Sequence, residues 1–143
     1  MQKSIAIIEN NIISSLTVRR KLTMMLMEQG YRVTVLTTGT EQQLQKAVEL
    51  GMNVIDIKSS NQHPIEVLRY MLNLRKALKA CKADICLTFT IRPAIWGNFV
   101  TRLLGIPTIT NITGVGPLFA SKSLTYRLAR KLYRLSLRRT RKI

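Results

Sequence analysis

The feature that most restricts how this chain can fold is a regular alternation of short apolar runs, rich in β-branched residues, with longer stretches whose apolar positions recur at helical spacing. Residues 4–9 (SIAIIE) read as a first strand. Residues 16–29 follow as a helix, with Val18, Leu22, Met25 and Leu26 on one face and Gly30 as its C-terminal stop. Residues 31–36 are a second strand, 40–50 a helix closed by Gly51, and 53–57 a third strand. Pro64 opens a long helix in which Val67, Met71, Leu74 and Leu78 form an apolar stripe that Leu68 and Leu72 widen. Residues 84–89 (DICLTF) are the fourth strand, 93–104 a helix ended by Gly105, 107–112 the fifth strand and 124–139 a final helix. Repeated βα units of this kind predict an α/β domain built on a parallel sheet.

A single domain accounts for residues 1–143, since 46% hydrophobic and 21% charged residues suit an ordinary globular core and no repeat or linker interrupts the pattern. Arg141, Lys142 and Ile143 read as a first step from the last helix toward a further strand, so the sequence is expected to be a fragment of a longer fold. Charge is distributed unevenly. Residues 1–84 hold 12 basic and 7 acidic side chains, whereas residues 85–143 hold 11 basic and no acidic ones, within a formal net charge of +16. The second half is thus a positive field that calls for a phosphate-rich partner: nucleic acid, an anionic membrane or a phosphorylated ligand. Ile5–Ile8 is too short for a signal-peptide core, and glycines and prolines break residues 103–120, so a soluble, cytoplasmic protein is expected. Cys81 and Cys86, five apart, fit neither a zinc ribbon nor a CxxC redox pair and read as reduced, buried thiols.

The loops after the strands carry the chemistry. After the first strand, Asn10-Asn11-Ile12-Ile13-Ser14-Ser15 has no glycine where a dinucleotide-binding turn needs GxGxxG, and no GxxxxGK[ST] occurs, so no nucleotide cofactor is expected in those modes. That polar loop either binds a hydroxyl-rich ligand or is plain turn chemistry. After the fourth strand, Thr90-Ile91-Arg92-Pro93 puts an arginine where open α/β sheets bind ligands, and it reads as an anion clamp. Trp96 reads as core. After the fifth strand, Thr113-Gly114-Val115-Gly116 either brings backbone and hydroxyl donors close to a phosphate or sugar or is a structural loop. In the last helix Arg127, Arg130, Lys131, Arg134, Arg138 and Arg141 share one face while Leu124, Leu128, Leu132 and Leu135 line another. Such a basic amphipathic helix suits membrane phospholipid; a solvated face and nucleic acid are the other readings, the latter without aromatic interleaving or a recognised module. The lone His63 reads as a solvated loop residue, the methionines at 24, 25 and 27 as packing, and no metal cluster, triad or paired carboxylates identify a catalytic group.

Taken together, Val18-Arg19 with Leu22 and Leu26, Gly30-Tyr31-Arg32-Val33, Thr90-Ile91-Arg92-Pro93 with Gly97, and Asn111-Ile112-Thr113-Gly114-Val115-Gly116-Pro117-Leu118-Phe119 resemble the N-terminal domain of the family 4 glycosyltransferases, in the branch that extends lipid-linked sugars for bacterial surface polysaccharides. The resemblance implies a Rossmann-like, doubly wound parallel sheet, the first half of a two-domain GT-B fold. This half would take the acceptor, a polyprenyl-diphosphate-linked saccharide, while an absent C-terminal domain would hold the nucleotide-sugar and the acidic motif of a retaining transfer. Asn11, Arg19, Thr90, Arg92, Thr113, Gly114 and Gly116 are the implied acceptor contacts, and the six cations of the last helix the membrane contacts, at the inner face of the cell membrane. Arg92 stands where the family usually has Lys, Ala94 where it has Asn and Trp96 where it has Tyr. The isolated chain would then be inactive. The alternative is a stand-alone basic α/β module for phosphorylated ligands or nucleic acid.

Overall fold

A computed structural model of the chain describes residues 1–58, 63–113 and 123–138. Five strands, β1 (Ser4–Ile8), β2 (Arg32–Thr37), β3 (Asn53–Asp56), β4 (Ile85–Phe89) and β5 (Thr108–Asn111), form one parallel sheet in the order β3-β2-β1-β4-β5. Side chains alternate across β1, so Ile5 and Ile7 face one apolar layer and Ala6 and Ile8 the other. The first layer is covered by α1 (Ile12–Leu16), α2 (Arg20–Glu28) and α3 (Glu41–Glu49). The second is covered by α4 (Pro64–Cys81) and α5 (Asn98–Leu103), the latter entered through a π-helical turn at Pro93–Gly97. A last helix, α6 (Leu124–Leu137), packs on that turn and on α5. The expected Rossmann-like α/β sheet is therefore present.

Local chemistry sets the boundaries. Thr40 and Gln43 form a reciprocal capping box at the start of α3, Pro64 opens α4, and Lys82 ends it in the left-handed region at φ 48°. Connections run outward from β1 through β2 to β3, then α4 carries the chain back across to β4 on the other side of β1. The carboxyl ends of β1 and β4 therefore flank a topological switch point, where departing loops diverge and leave a crevice.

Four expectations change. The single helix over 16–29 is two helices: Asn11 caps α1 one turn earlier by accepting from the Ile13 N–H at 2.8 Å, and the chain breaks at Thr17, with φ −122° and ψ −93°. Val18 sits in that break, 86% exposed, and Met25 faces outward as well, because the break rotates α2 relative to the face a continuous helix would have. On α4, Leu68 and Leu72 do not widen the buried stripe; with Ile65 they form an exposed apolar strip, 49–63% accessible, opposite Tyr70, Leu74, Ala77 and Leu78. On α6 only Leu132 among the four leucines packs inward, while Leu124, Leu128 and Leu135 are exposed and Tyr133 and Ser136 are the buried residues. Cys86 is buried but Cys81 is half-exposed; both are free thiols, and burial raises the pKa of each.

Candidate functional site

At the end of β1, Glu9 is 1% exposed. Its carboxylate accepts from the Ser15 N–H at 3.1 Å and the Ser15 hydroxyl at 2.5 Å, and pairs with Arg19 Nη1 at 3.3 Å. Burial pushes the Glu9 carboxyl above the usual carboxylate range, with Ser15 and Arg19 pulling it back only in part. The Arg19 guanidinium lies 4.3 Å from the centre of the Phe89 ring, at the end of β4. This cluster ties the α1–α2 break to the two strands that flank the switch point. The β2 end closes in from the other side, where Gly39 runs so near Ile12 that a Cβ would stand 2.5 Å from its Cγ2.

On the opposite face of the sheet, the carboxyl end of β4 is built differently. Thr90 adopts φ 69°, a conformation costing a β-branched residue roughly 1–2 kcal/mol. Arg92, half-buried, lies 4.7 Å from the centre of the Tyr70 ring, which α4 supplies from below. Ala94 N–H donates to the Thr90 carbonyl at 3.1 Å, starting the π-helical turn. Such turns widen the helix by one residue and are frequent at functional sites. A Cβ at Gly97 would meet the Ile8 and Thr88 side chains at 3.5 Å, an ordinary van der Waals contact, so the turn sits directly on the sheet.

Behind this turn is a buried polar cluster. Thr88 on β4, Asn98 on α5 and Thr110 on β5 bond to one another at 3.0–3.3 Å, and Thr108 donates to Thr101 at 2.9 Å. Together they fix α5 against β4 and β5 and set where β5 releases the chain toward Thr113.

The implied acceptor residues thus fall into separate groups. Thr90 and Arg92 share one mouth; Arg19 sits at the neighbouring strand end, already paired with Glu9; Asn11 is an exposed helix cap; and Thr113 is exposed beyond β5. Gly114 and Gly116 lie outside the described residues, as does Arg141. On α6, Arg127, Lys131, Arg134 and Arg138 are exposed and Arg130 is half-buried. Two contributors escaped the sequence reading. Tyr70 carries a signal in its spacing, a tyrosine at i−4 and i−8 to Leu74 and Leu78 on the inward stripe; Glu9 carries one in being a carboxylate directly after the apolar run Ile5–Ile8. His63 is exposed, and among the described residues no cluster of His, Cys, Asp and Glu could hold a metal. Nor is any described helix long and apolar enough to cross a membrane.

The profile of the family described as "Glycosyl transferase 4-like" matches residues 11–143. No curated protein matches the chain at a comparable level. Among solved structures, MurG of Acinetobacter baumannii superposes with a TM-score of 0.62 at 18% identity, over 91% of this chain and 39% of its own. The sucrose-phosphate synthase of Thermosynechococcus elongatus gives 0.69 at 10% identity, over 97% and 41%. The UDP-GlcNAc 2-epimerase of Methanocaldococcus jannaschii gives 0.55 at 16%, over 95% and 37%. At these identities the likeness is one of fold, and the chain spans 37–41% of the length of these proteins.

Proposed function

Because the chain belongs to the glycosyl transferase 4-like family, we propose that it is the acceptor-side domain of a retaining glycosyltransferase. Its acceptor is a polyprenyl-diphosphate-linked saccharide of bacterial surface polysaccharide synthesis, presented at the cytoplasmic face of the membrane. The nucleotide-sugar is held by a donor-binding domain beyond these residues, in keeping with the share of its structural neighbours that the chain spans. The observation that carries this reading is Arg92, a cation seated on an aromatic ring at the switch point, where a diphosphate would lie along the strand ends.

Two helices support the membrane side of the reading. On α6 the exposed Leu124, Leu128 and Leu135 form a narrow apolar strip flanked by Arg127, Lys131, Arg134 and Arg138. On α4 the exposed Ile65, Leu68 and Leu72 are flanked by Arg69, Arg75, Lys76 and Lys79, and both helices pack against the π turn and α5. Cations alone would suit nucleic acid equally well, but leucines standing in water between them suit a bilayer interface.

Co-sedimentation with vesicles tests both halves. The chain is expected to bind anionic vesicles at low salt, and changing the exposed Arg127, Arg134 and Arg138 together to Gln removes about 3 kcal/mol at roughly 1 kcal/mol per cation, about 100-fold in partitioning. Adding polyprenyl-diphosphate saccharide to neutral vesicles is expected to raise binding in the wild type, and Arg92→Ala to cost about 1.5–3 kcal/mol of that gain. Equal binding to neutral and anionic vesicles would overturn membrane docking; acceptor lipid that changes nothing would overturn the acceptor assignment.

A further inference from the structure

Tyr70 is 3% exposed, and its hydroxyl has no hydrogen-bond partner among the described residues. A buried tyrosine normally satisfies that group, and phenylalanine would supply the same ring without the cost of burying it. Thr90 repeats the anomaly. Its hydroxyl is buried and likewise without a partner, on a residue held at φ 69°, where glycine would sit without strain. Both hydroxyls belong to residues next to Arg92: Tyr70 from α4, whose ring centre lies 4.7 Å from the guanidinium, and Thr90, two residues before Arg92 in the chain. The Arg92 charge is felt at the Tyr70 hydroxyl, lowering its pKa against a larger rise from burial. Both hydroxyls can donate and both lack an acceptor, so the group that would complete the cluster is one rich in acceptor oxygens.

We infer that Tyr70, Thr90 and Arg92 form one oxyanion pocket for a diphosphate, in which Tyr70 acts as a positioning residue that holds the Arg92 guanidinium flat while its own hydroxyl and that of Thr90 donate to phosphoryl oxygens. The inference rests on the reading of Arg92 as the cation that meets the acceptor's diphosphate, and it adds the two groups that orient and share that charge. A guanidinium stacked on a ring keeps its N–H fork in one plane, which suits two-point bonding to a phosphoryl group better than a mobile side chain does.

Inorganic pyrophosphate, titrated calorimetrically into the 143-residue chain at low salt, is the probe. Wild type is expected to bind it saturably and Arg92→Ala to abolish that binding. Tyr70→Phe and Thr90→Val, each of which keeps the shape and removes one hydroxyl, are expected to weaken it about 5- to 10-fold, and Thr90→Ser to restore it. Proton–nitrogen NMR of the Arg92 Nε–H supplies a readout of positioning: the ring-current shift that Tyr70 imposes is expected to persist in Tyr70→Phe, vanish in Tyr70→Leu, and move on adding pyrophosphate to the wild type. Should Tyr70→Leu fail to fold, the wild-type titration of that resonance still decides. No binding by wild type, or full binding by Arg92→Ala, would overturn the reading of Arg92 itself. Loss of binding in Arg92→Ala with Tyr70→Phe and Thr90→Val both within twofold of wild type would overturn the pocket alone.

Discussion

Arg19 and Arg92 occupy matching positions, each at the carboxyl end of a strand beside the switch point and each stacked on an aromatic ring, at 4.3 Å and 4.7 Å. What separates them is the chemistry behind the ring. Glu9 lies buried against Arg19, so that arginine, its carboxylate and Ser15 make a neutral brace that holds the α1–α2 break onto β1. Tyr70 attracts the Arg92 guanidinium through its π face without cancelling its charge. The same residue type at the same end of the sheet is therefore ion-paired on one face and stacked on a tyrosine on the other, the face to which the proposed function assigns the ligand. An arginine at a strand end does not by itself mark a binding site, since Arg19 there is spent on a buried carboxylate.

The largest expected effect tests the brace. Glu9→Ala should cost about 3 kcal/mol in urea unfolding, because it orphans the Ser15 donors and leaves Arg19, nearly buried, without its counter-charge. Arg19→Met should cost about 2 kcal/mol near neutral pH, and this loss should depend on pH. Without Arg19 one of the influences that lowers the Glu9 pKa is gone, so the folded state holds a proton the unfolded state has released. Stability then falls as pH rises from the ordinary carboxylate pKa through the raised value in the fold, and acid should restore part of it. A loss equal at pH 4 and pH 8 would assign Arg19 to packing alone. Smaller again, Glu9→Gln should cost about 1 kcal/mol and flatten that pH dependence, since the amide still accepts from Ser15 but does not titrate. The smallest change sharpens the other side: Thr90→Gly should raise stability by about 0.5–1 kcal/mol by relieving the φ of 69°, while pyrophosphate affinity falls. A variant at this position that lost stability as well would place Thr90 with the brace.

The strands and the order of elements were legible in the sequence because apolar alternation and β-branching dominate short buried segments. Loop chemistry was legible in position but not in role. Arg92 could be placed at a strand end from Thr90-Ile91-Arg92-Pro93, whereas the stacking on Tyr70 joins residues 22 apart that only the crossover from β3 to β4 brings together. Arg19 and Glu9 are ten residues apart across a helix break that periodicity cannot show, since Val18 fits a continuous stripe as well as it fits an exposed turn. The leucines of α6 illustrate the same limit. Spacing identifies an apolar face but not whether anything covers it, and here Tyr133 and Leu132 meet the neighbouring turn while Leu124, Leu128 and Leu135 stay exposed.

The polar knot of Thr88, Asn98 and Thr110 has an evolutionary consequence. Each side chain satisfies the other two across β4, α5 and β5, so replacing any one with an apolar residue strands its partners in a dry interior. Drift at these three positions is blocked one mutation at a time, although a wholly apolar trio would pack acceptably. Among sequences that share this domain, the three should be inherited and exchanged as a block. A lineage that has lost Asn98 alone is expected to show altered hydrogen-exchange protection along β5, the strand from which the chain departs toward Thr113.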